Sequence, residues 1–218
     1  MDRFQQCVII VSRQFTRLNT GLGMDSRSEI LQRLNRQSSE QVALPEVIDG
    51  DWIDFPDLQL QLTTTIQTAG GSCEILDNVG QLADRLNEFD AWRSAENVFS
   101  AIPELPGNVQ LEKIDDPHDL ENLDFVVYRG QFAVAENGAI WLTDTDLKHR
   151  VAFFIAQFLV LVVDRQAIVA TMHQAYSRAK VPQPGFGLFL SGPSKTADIE
   201  QSLVIGAHGC RQLLVYLV

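Results

Sequence analysis

The run FLVLVV at 158–163 constrains the fold more than any other part of the chain. A β-strand points successive side chains to opposite faces, so six consecutive apolar residues need cover on both sides. In a water-soluble chain that is the interior strand of a largely parallel sheet with further layers packed on each face. GLFLS at 187–191 and LLVYLV at 213–218 carry the same signal, and SCEIL at 72–76 and ENVFSA at 96–101 read as shorter strands.

Helical patterns alternate with these runs. Ser26 followed by Glu29 is a capping-box pattern, with Ile30, Leu31 and Leu34 at helical spacing behind it. Leu58, Leu62 and Ile66 mark a helix that stops at Gly70-Gly71, and Leu82 and Leu86 mark another over 79–89. DPHDLENL reads as a short helix, DRQAIVATMHQAYSRAK as a helix of about fourteen residues, and SKTADIEQS as a short helix before the last strand. Between them, DFVVYRGQFAVAENGAIWLTD places two β-rich runs around the Asn137-Gly138 hairpin signal. The alternation predicts an α/β fold: a three-layer Rossmann-like sandwich with a mostly parallel sheet, made mixed by the hairpin. Residues 1–23 read as an N-terminal extension and 24–218 as a single α/β domain, whose first part, 24–55, is helix and polar loop.

Charge and cysteine usage exclude several functions. With 28 Asp and Glu against 17 Lys and Arg, the net charge is −11, which repels nucleic-acid phosphates and anionic lipid. No nucleic-acid or membrane partner is expected. Cys7, Cys73 and Cys210 form no C-x-x-C pair and cannot assemble a zinc or iron–sulfur site, so no metal and no cofactor is expected. The early apolar run Cys7 to Val11 is too short for a signal-peptide core or a membrane span, and cytoplasmic is the default location.

The densest chemistry lies in SGPSKTADIEQSLVIGAHG at 191–209. Gly187 and Gly192 have the glycine spacing of a nucleotide-binding loop, but Pro193 stands where that loop needs lysine, so the nucleotide reading fails. What remains is a strand, a turn at Gly192, and Ser194, Lys195 and Thr196 on the first turn of the expected helix, whose free N–H groups favour an anion. Asp198 and Glu200 either complement the helix dipole or, in the case of Asp198, act on a ligand. His208, between Gly206 and Gly209, is either a surface histidine or a catalytic group on a strand-end turn. Glu136 at the hairpin tip is either solvated or reaches the same site.

Taken together, AENGAIWL (135–142), SGPSKTADIE (191–200) and GAHG (206–209) resemble the LUD domain of the lactate-utilisation proteins, the LutC/YkgG type. That family shows an AETGTL-like segment, a GPS-[RK]-TADIE segment and a G-x-HGP segment in this order. The likeness is specific over the last 85 or so residues and looser over 24–134. Asn137 and Ala139 stand where the family usually has Thr, and Cys210 where it has Pro.

The resemblance implies a fold similar to ribose-5-phosphate isomerase, glucosamine-6-phosphate deaminase and the CoA transferases. It also implies a part in oxidising L-lactate to pyruvate beside partner proteins that carry iron–sulfur clusters, this chain being the cluster-free subunit. The expected site joins Glu136, Asp198 and His208 as catalytic groups to Gly192, Ser194, Lys195, Thr196, Gly206 and Gly209 as ligand-binding residues around a small anion. The rival readings are a non-catalytic assembly subunit and an independent enzyme acting on a sugar phosphate or CoA ester.

Overall fold

A computed structural model describes residues 26–36, 53–197, 203–205 and 209–218. The chain divides into two compact units. From Ser12–Asp51 the structure describes one helix, α1 (Ser26–Arg36), which exposes Ile30, Leu31 and Leu34. The other described residues form the main unit.

The main unit runs α2 (Leu58–Thr68), β1 (Ser72–Ile75), α3 (Leu82–Asn87), α4 (Asp90–Arg93), β2 (Val98–Ser100), β3 (Phe125–Arg129), β4 (Phe132–Val134), β5 (Ala139–Thr143), α5 (Ala152–Ile155), β6 (Phe158–Val163), β7 (Ile168–Val169), α6 (Met172–Arg178), β8 (Gly187–Leu190), β9 (Lys195–Ala197), β10 (Leu203–Ile205) and β11 (Gln212–Leu217). Short 3₁₀ turns at Val79–Gln81, Leu111–Lys113 and Pro117–Leu120 fill the connections.

The central sheet has the order β1-β11-β6-β3-β2, and every pairing in it is parallel. β6 lies in its middle, as its unbroken apolar run requires, with Leu159–Val163 fully buried. The two faces sort by parity. Val160 and Val162 join Phe125, Val127 and Tyr216 under α3 and α4. Leu159, Leu161 and Val163 join Val126, Leu213 and Val215 under α2, α5 and the inner face of a second sheet.

That second sheet corrects the expectation that the hairpin would make the main sheet mixed. β4 and β5 leave the parallel sheet at Gly130 and build a separate four-stranded layer, β7-β4-β5-β8. β8 pairs antiparallel with β5 there and is not a core strand of the parallel sheet. Its outer face carries Phe132, Trp141 and Phe189, covered by Ala175 of α6. The α/β class and the mostly parallel central sheet stand as expected.

Two helix expectations also change. α6 spans only Met172–Arg178, because Ile168 and Val169 pair with β4 and Thr171 caps the helix through Gln174 N–H. The short helix expected over SKTADIEQS does not begin at Ser194: Lys195–Ala197 is a strand, paired antiparallel with Leu203–Ile205. Among the described residues, no helix is long and apolar enough to cross a membrane.

Candidate functional site

The site is assembled around the end of α2. Asp57 starts this helix by accepting the N–H groups of Gln59 and Leu60, each at 3.0 Å. Leu62 and Ile66 are buried and fix the helix on the parallel sheet. The helix ends at Ala69, and Gly71 N–H donates to the Ile66 carbonyl at 3.0 Å as the chain turns into β1.

The hairpin tip docks on the same turn of helix. Residues 135–138 connect β4 to β5, with Gly138 N–H donating to the Val134 carbonyl at 2.9 Å. Gly138 has φ +68°, and a Cβ there would lie 3.2 Å from the Ile66 nitrogen. Glycine is required both by conformation and by contact. Thr65 Oγ1 donates to the Ala135 carbonyl at 3.1 Å, which ties the helix to the tip.

A third segment closes the group. Ser191 Oγ donates to the Asn137 carbonyl at 2.7 Å. Gly192, at φ +70°, lies against the helix end, where a Cβ would come within 2.7 Å of the Ala69 carbonyl oxygen. Ser194 N–H donates to the Cys210 carbonyl at 2.9 Å, and Gly209 packs on the Ser194 side chain. Lys195 is exposed, and its Nζ would be 3.8 Å from a Cβ at Gly70. An ammonium beside the carbonyl end of a helix is electrostatically favourable without any ligand.

The structure therefore brings Gly192, Ser194, Lys195 and Gly209 together beside the Asn137 turn. Thr196 follows in β9, opposite Val204. Asp198, Gly206 and His208, like Glu200, lie outside the described residues. Glu136 turns toward α6: its Oε2 accepts the Met172 N–H at 2.9 Å, and its own N–H donates to the Ala170 carbonyl at 3.0 Å. Its carboxylate completes the cap of α6 begun by Thr171.

Because Lys195–Ala197 is a strand, the anion cradle expected from a helix N-terminus is not present at these residues. The position within the fold is also particular. Gly71 precedes β1 and Cys210 precedes β11, so the cluster sits at the amino edge of the parallel sheet, whereas open α/β sheets usually bind ligands at the carboxyl edge. It is at once the carboxyl end of β4 and β8 in the second sheet.

Sequence reading missed Thr65 and Ser191 as the hydrogen-bonding ties of this group and treated Gly70 only as a helix stop. None of the three carries a local motif for such a role. Their partners are 70, 54 and 125 positions away or thereabouts in the chain.

Cys210 adjoins the cluster, and burial pushes its thiol above the ordinary range. Burial does the same to Cys73, partly opposed by the Thr63 hydroxyl. Both are held as neutral thiols, the form that neither attacks nor ligates metal. Among the described residues, no group of three His, Cys, Asp or Glu side chains could hold a metal ion.

The LUD domain model matches residues 62–218, which takes in the whole parallel sheet, the second sheet and the cluster just described. The chain belongs to the LUD domain family. Part of the sequence is similar to lactate utilization protein C 1 of Bacillus mycoides, 31% identical over 104 residues, covering 45% of this chain and 44% of that one. Lactate utilization protein C of Shouchella clausii is 31% identical over 94 residues, covering 41% of each chain. An uncharacterized protein of Neisseria meningitidis serogroup B is 30% identical over 100 residues, covering 44% of this chain and 43% of that one. The matched segment thus spans less than half the length of these relatives. The fold is shared with the crystal structure of a DUF162 family protein from Deinococcus radiodurans. That match has a TM-score of 0.56 at 22% identity and covers 74% of this chain and 96% of that one.

Proposed function

We propose that this LUD domain protein is the cluster-free subunit of a system that oxidises L-lactate to pyruvate. The reading is supported by membership of the LUD family over residues 62–218, with relatives named for lactate utilization. Oxidation of lactate releases two electrons and two protons. On this reading the electrons go to partner proteins that carry iron–sulfur clusters, as the family resemblance implies, and the scattered Cys7, Cys73 and Cys210 of this chain are consistent with a subunit that holds no cluster of its own.

On this proposal the cluster at the amino edge holds the small anion. Lys195 pairs with its carboxylate, Ser194 and the backbone of the Gly192 and Gly209 turns fix its orientation, and Asp198 or His208 takes the hydroxyl proton. The Cα–H bond breaks with its proton leaving to solvent and the two electrons passing to the partner proteins. Thr196 and Gly206 belong to the same two sequence motifs, SGPSKTADIE and GAHG, and are assigned to ligand binding with them. Glu136 acts as a positioning residue, by fixing the hairpin tip against α6.

The experiment is complementation of a strain deleted for this gene, grown on L-lactate, together with a pull-down of the tagged full chain and spectroscopy for iron–sulfur absorbance. Restored growth and co-purifying clusters are expected, with growth lost in Lys195→Ala and His208→Ala. Wild-type growth in both variants would overturn the assigned site. Absence of cluster-bearing partners would overturn the subunit role.

One observation favours a second reading, a non-catalytic assembly subunit: Lys195 is exposed on a strand rather than seated at a helix N-terminus. Thermal-shift titration with lactate, pyruvate, phosphate, a sugar phosphate and CoA separates the readings. No shift with any of them supports assembly, and a shift with the sugar phosphate or CoA alone supports an independent enzyme.

A further inference from the structure

The same amino edge of the parallel sheet carries a second feature that the proposed lactate site does not use. Where β2, β3 and β6 begin, a solvent-open depression of about 360 Å³ is lined by Ser94, Glu96, Asn97, Asn122, Asp124 and Gln157. Its lining is nearly all polar: one hydroxyl, three carboxamides and two carboxylates.

The walls are held in place by hydrogen bonds. Asp124 Oδ2 accepts the N–H groups of Glu96 and Asn97, each at 2.9 Å, and its Oδ1 accepts Gln157 Nε2 at 3.3 Å. Gln157 N–H donates to the Leu123 carbonyl at 3.2 Å, and the Gln157 carbonyl accepts the Arg211 N–H at 2.7 Å. Ser94 Oγ contacts the carbonyls of Asp90 and Ala91. Among the described residues, no hydrogen bond engages the side-chain amides of Asn97 and Asn122, and Glu96 forms no ion pair.

The chemistry left over selects a ligand class. Asp124 already receives three donors and has little capacity for a cation. Two carboxylates in the lining disfavour an anion. A carboxamide offers a donor and an acceptor on one planar head, which matches hydroxyl groups that both give and take a hydrogen bond. We propose that this depression binds a neutral polyhydroxylated ligand, a polyol or sugar, through Asn97, Asn122 and Glu96. The inference does not rest on the lactate reading, and with so little apolar surface to bury the affinity is millimolar.

The test uses the ¹⁵N-labelled full chain, with D-ribose and glycerol as probes and magnesium chloride and potassium phosphate as contrasts. D-Ribose is expected to shift the side-chain amide signals of Asn97, Asn122 and Gln157 saturably. Asn122→Ala, at an exposed position, and Asn97→Ala are each expected to weaken binding about tenfold or more. Lys195→Ala is expected to leave the response unchanged, which separates this site from the lactate site. The proposal is overturned if neither polyol shifts these amides, if only magnesium or phosphate does, or if both Asn variants respond like the wild type.

Discussion

β6 and β9 are both strands of this chain, and they form for opposite reasons. β6 is buried between two neighbours in the middle of the parallel sheet, and its five residues Leu159–Val163 lose essentially all contact with water. β9 is three residues long, exposes Lys195, and is paired with β10 in a two-stranded ribbon. In β6 the composition of the segment decides the structure. In β9 the partner decides it, since Ser194, Lys195 and Thr196 read equally well as the first turn of a helix. The contrast separates the scaffold, which sequence dictates locally, from the candidate site, which the surrounding fold dictates.

The largest expected effect lies on the scaffold side. Leu161→Ala removes a fully buried side chain from β6 where it packs under the second sheet. Unfolding free energy in urea is expected to fall by about 2–5 kcal/mol. A loss below about 1 kcal/mol would show that β6 is not the close-packed centre and would blur the contrast.

Next comes Gly192→Ala, on the site side. The added Cβ meets the Ala69 carbonyl oxygen at 2.7 Å, and φ +70° is strained for alanine. A loss of about 1–3 kcal/mol is expected, with hydrogen exchange rising in residues 191–195 and 209–210 but not in β6. Equal loosening of β6 would mean that the cluster and the scaffold form one cooperative unit.

How much could be read in advance follows the same division. FLVLVV, LLVYLV, the Leu62–Ile66 helix and its glycine stop were legible because each is set by burial within its own segment. GLFL was read as a strand but assigned to the wrong sheet. An apolar run has the same pattern in either layer, and only the hairpin that delivers β5 decides that β8 pairs antiparallel with it. The helix of about fourteen residues expected within DRQAIVATMHQAYSRAK was overlong because Ile168 and Val169 have strand partners that no local pattern reveals. At the site, the described parts of the family motifs lie together: Ser191 bonds the Asn137 carbonyl, and Ser194 bonds the Cys210 carbonyl. The ties through Thr65 and Ser191, and the approach of the Lys195 side chain to Gly70, were illegible because each depends on a partner distant in the chain.

Glu136 tests whether the hairpin tip belongs to scaffold or site. Its Oε2 accepts the Met172 N–H. Glu136→Gln retains an acceptor and is expected to change stability by less than about 0.5 kcal/mol, whereas Glu136→Ala is expected to cost about 1 kcal/mol, the size of a lost helix cap. If the Gln variant keeps its stability and growth on L-lactate while the Ala variant loses some of both, Glu136 acts by positioning. Loss of growth in Glu136→Gln at full stability would make the charge itself functional and move Glu136 to the catalytic group.

The smallest effect concerns a purely local element. Asp116 caps the 3₁₀ turn Pro117–Leu120 by accepting the His118 N–H at 2.9 Å, and its Oδ1 lies 2.7 Å from His118 Nδ1. The Asp116 carboxylate raises the His118 pKa, and the two His118 hydrogen bonds lower that of Asp116. A raised histidine pKa contributes stability below its unfolded value and loses it as pH rises through the folded value. A lowered carboxylate pKa contributes above its unfolded value and loses it as pH falls through the folded one. The ion pair therefore operates between the lowered Asp116 and raised His118 midpoints. Both groups are exposed, so water and salt screen the pair, and global stability should barely respond. NMR titration of His118 is the sensitive readout: its midpoint is expected above the ordinary histidine range in the wild type and back within it in Asp116→Asn. A midpoint that stays high in the variant would assign the shift to Asp119 and Glu121 instead, and this turn would then be shaped by its surrounding charge rather than by its own cap.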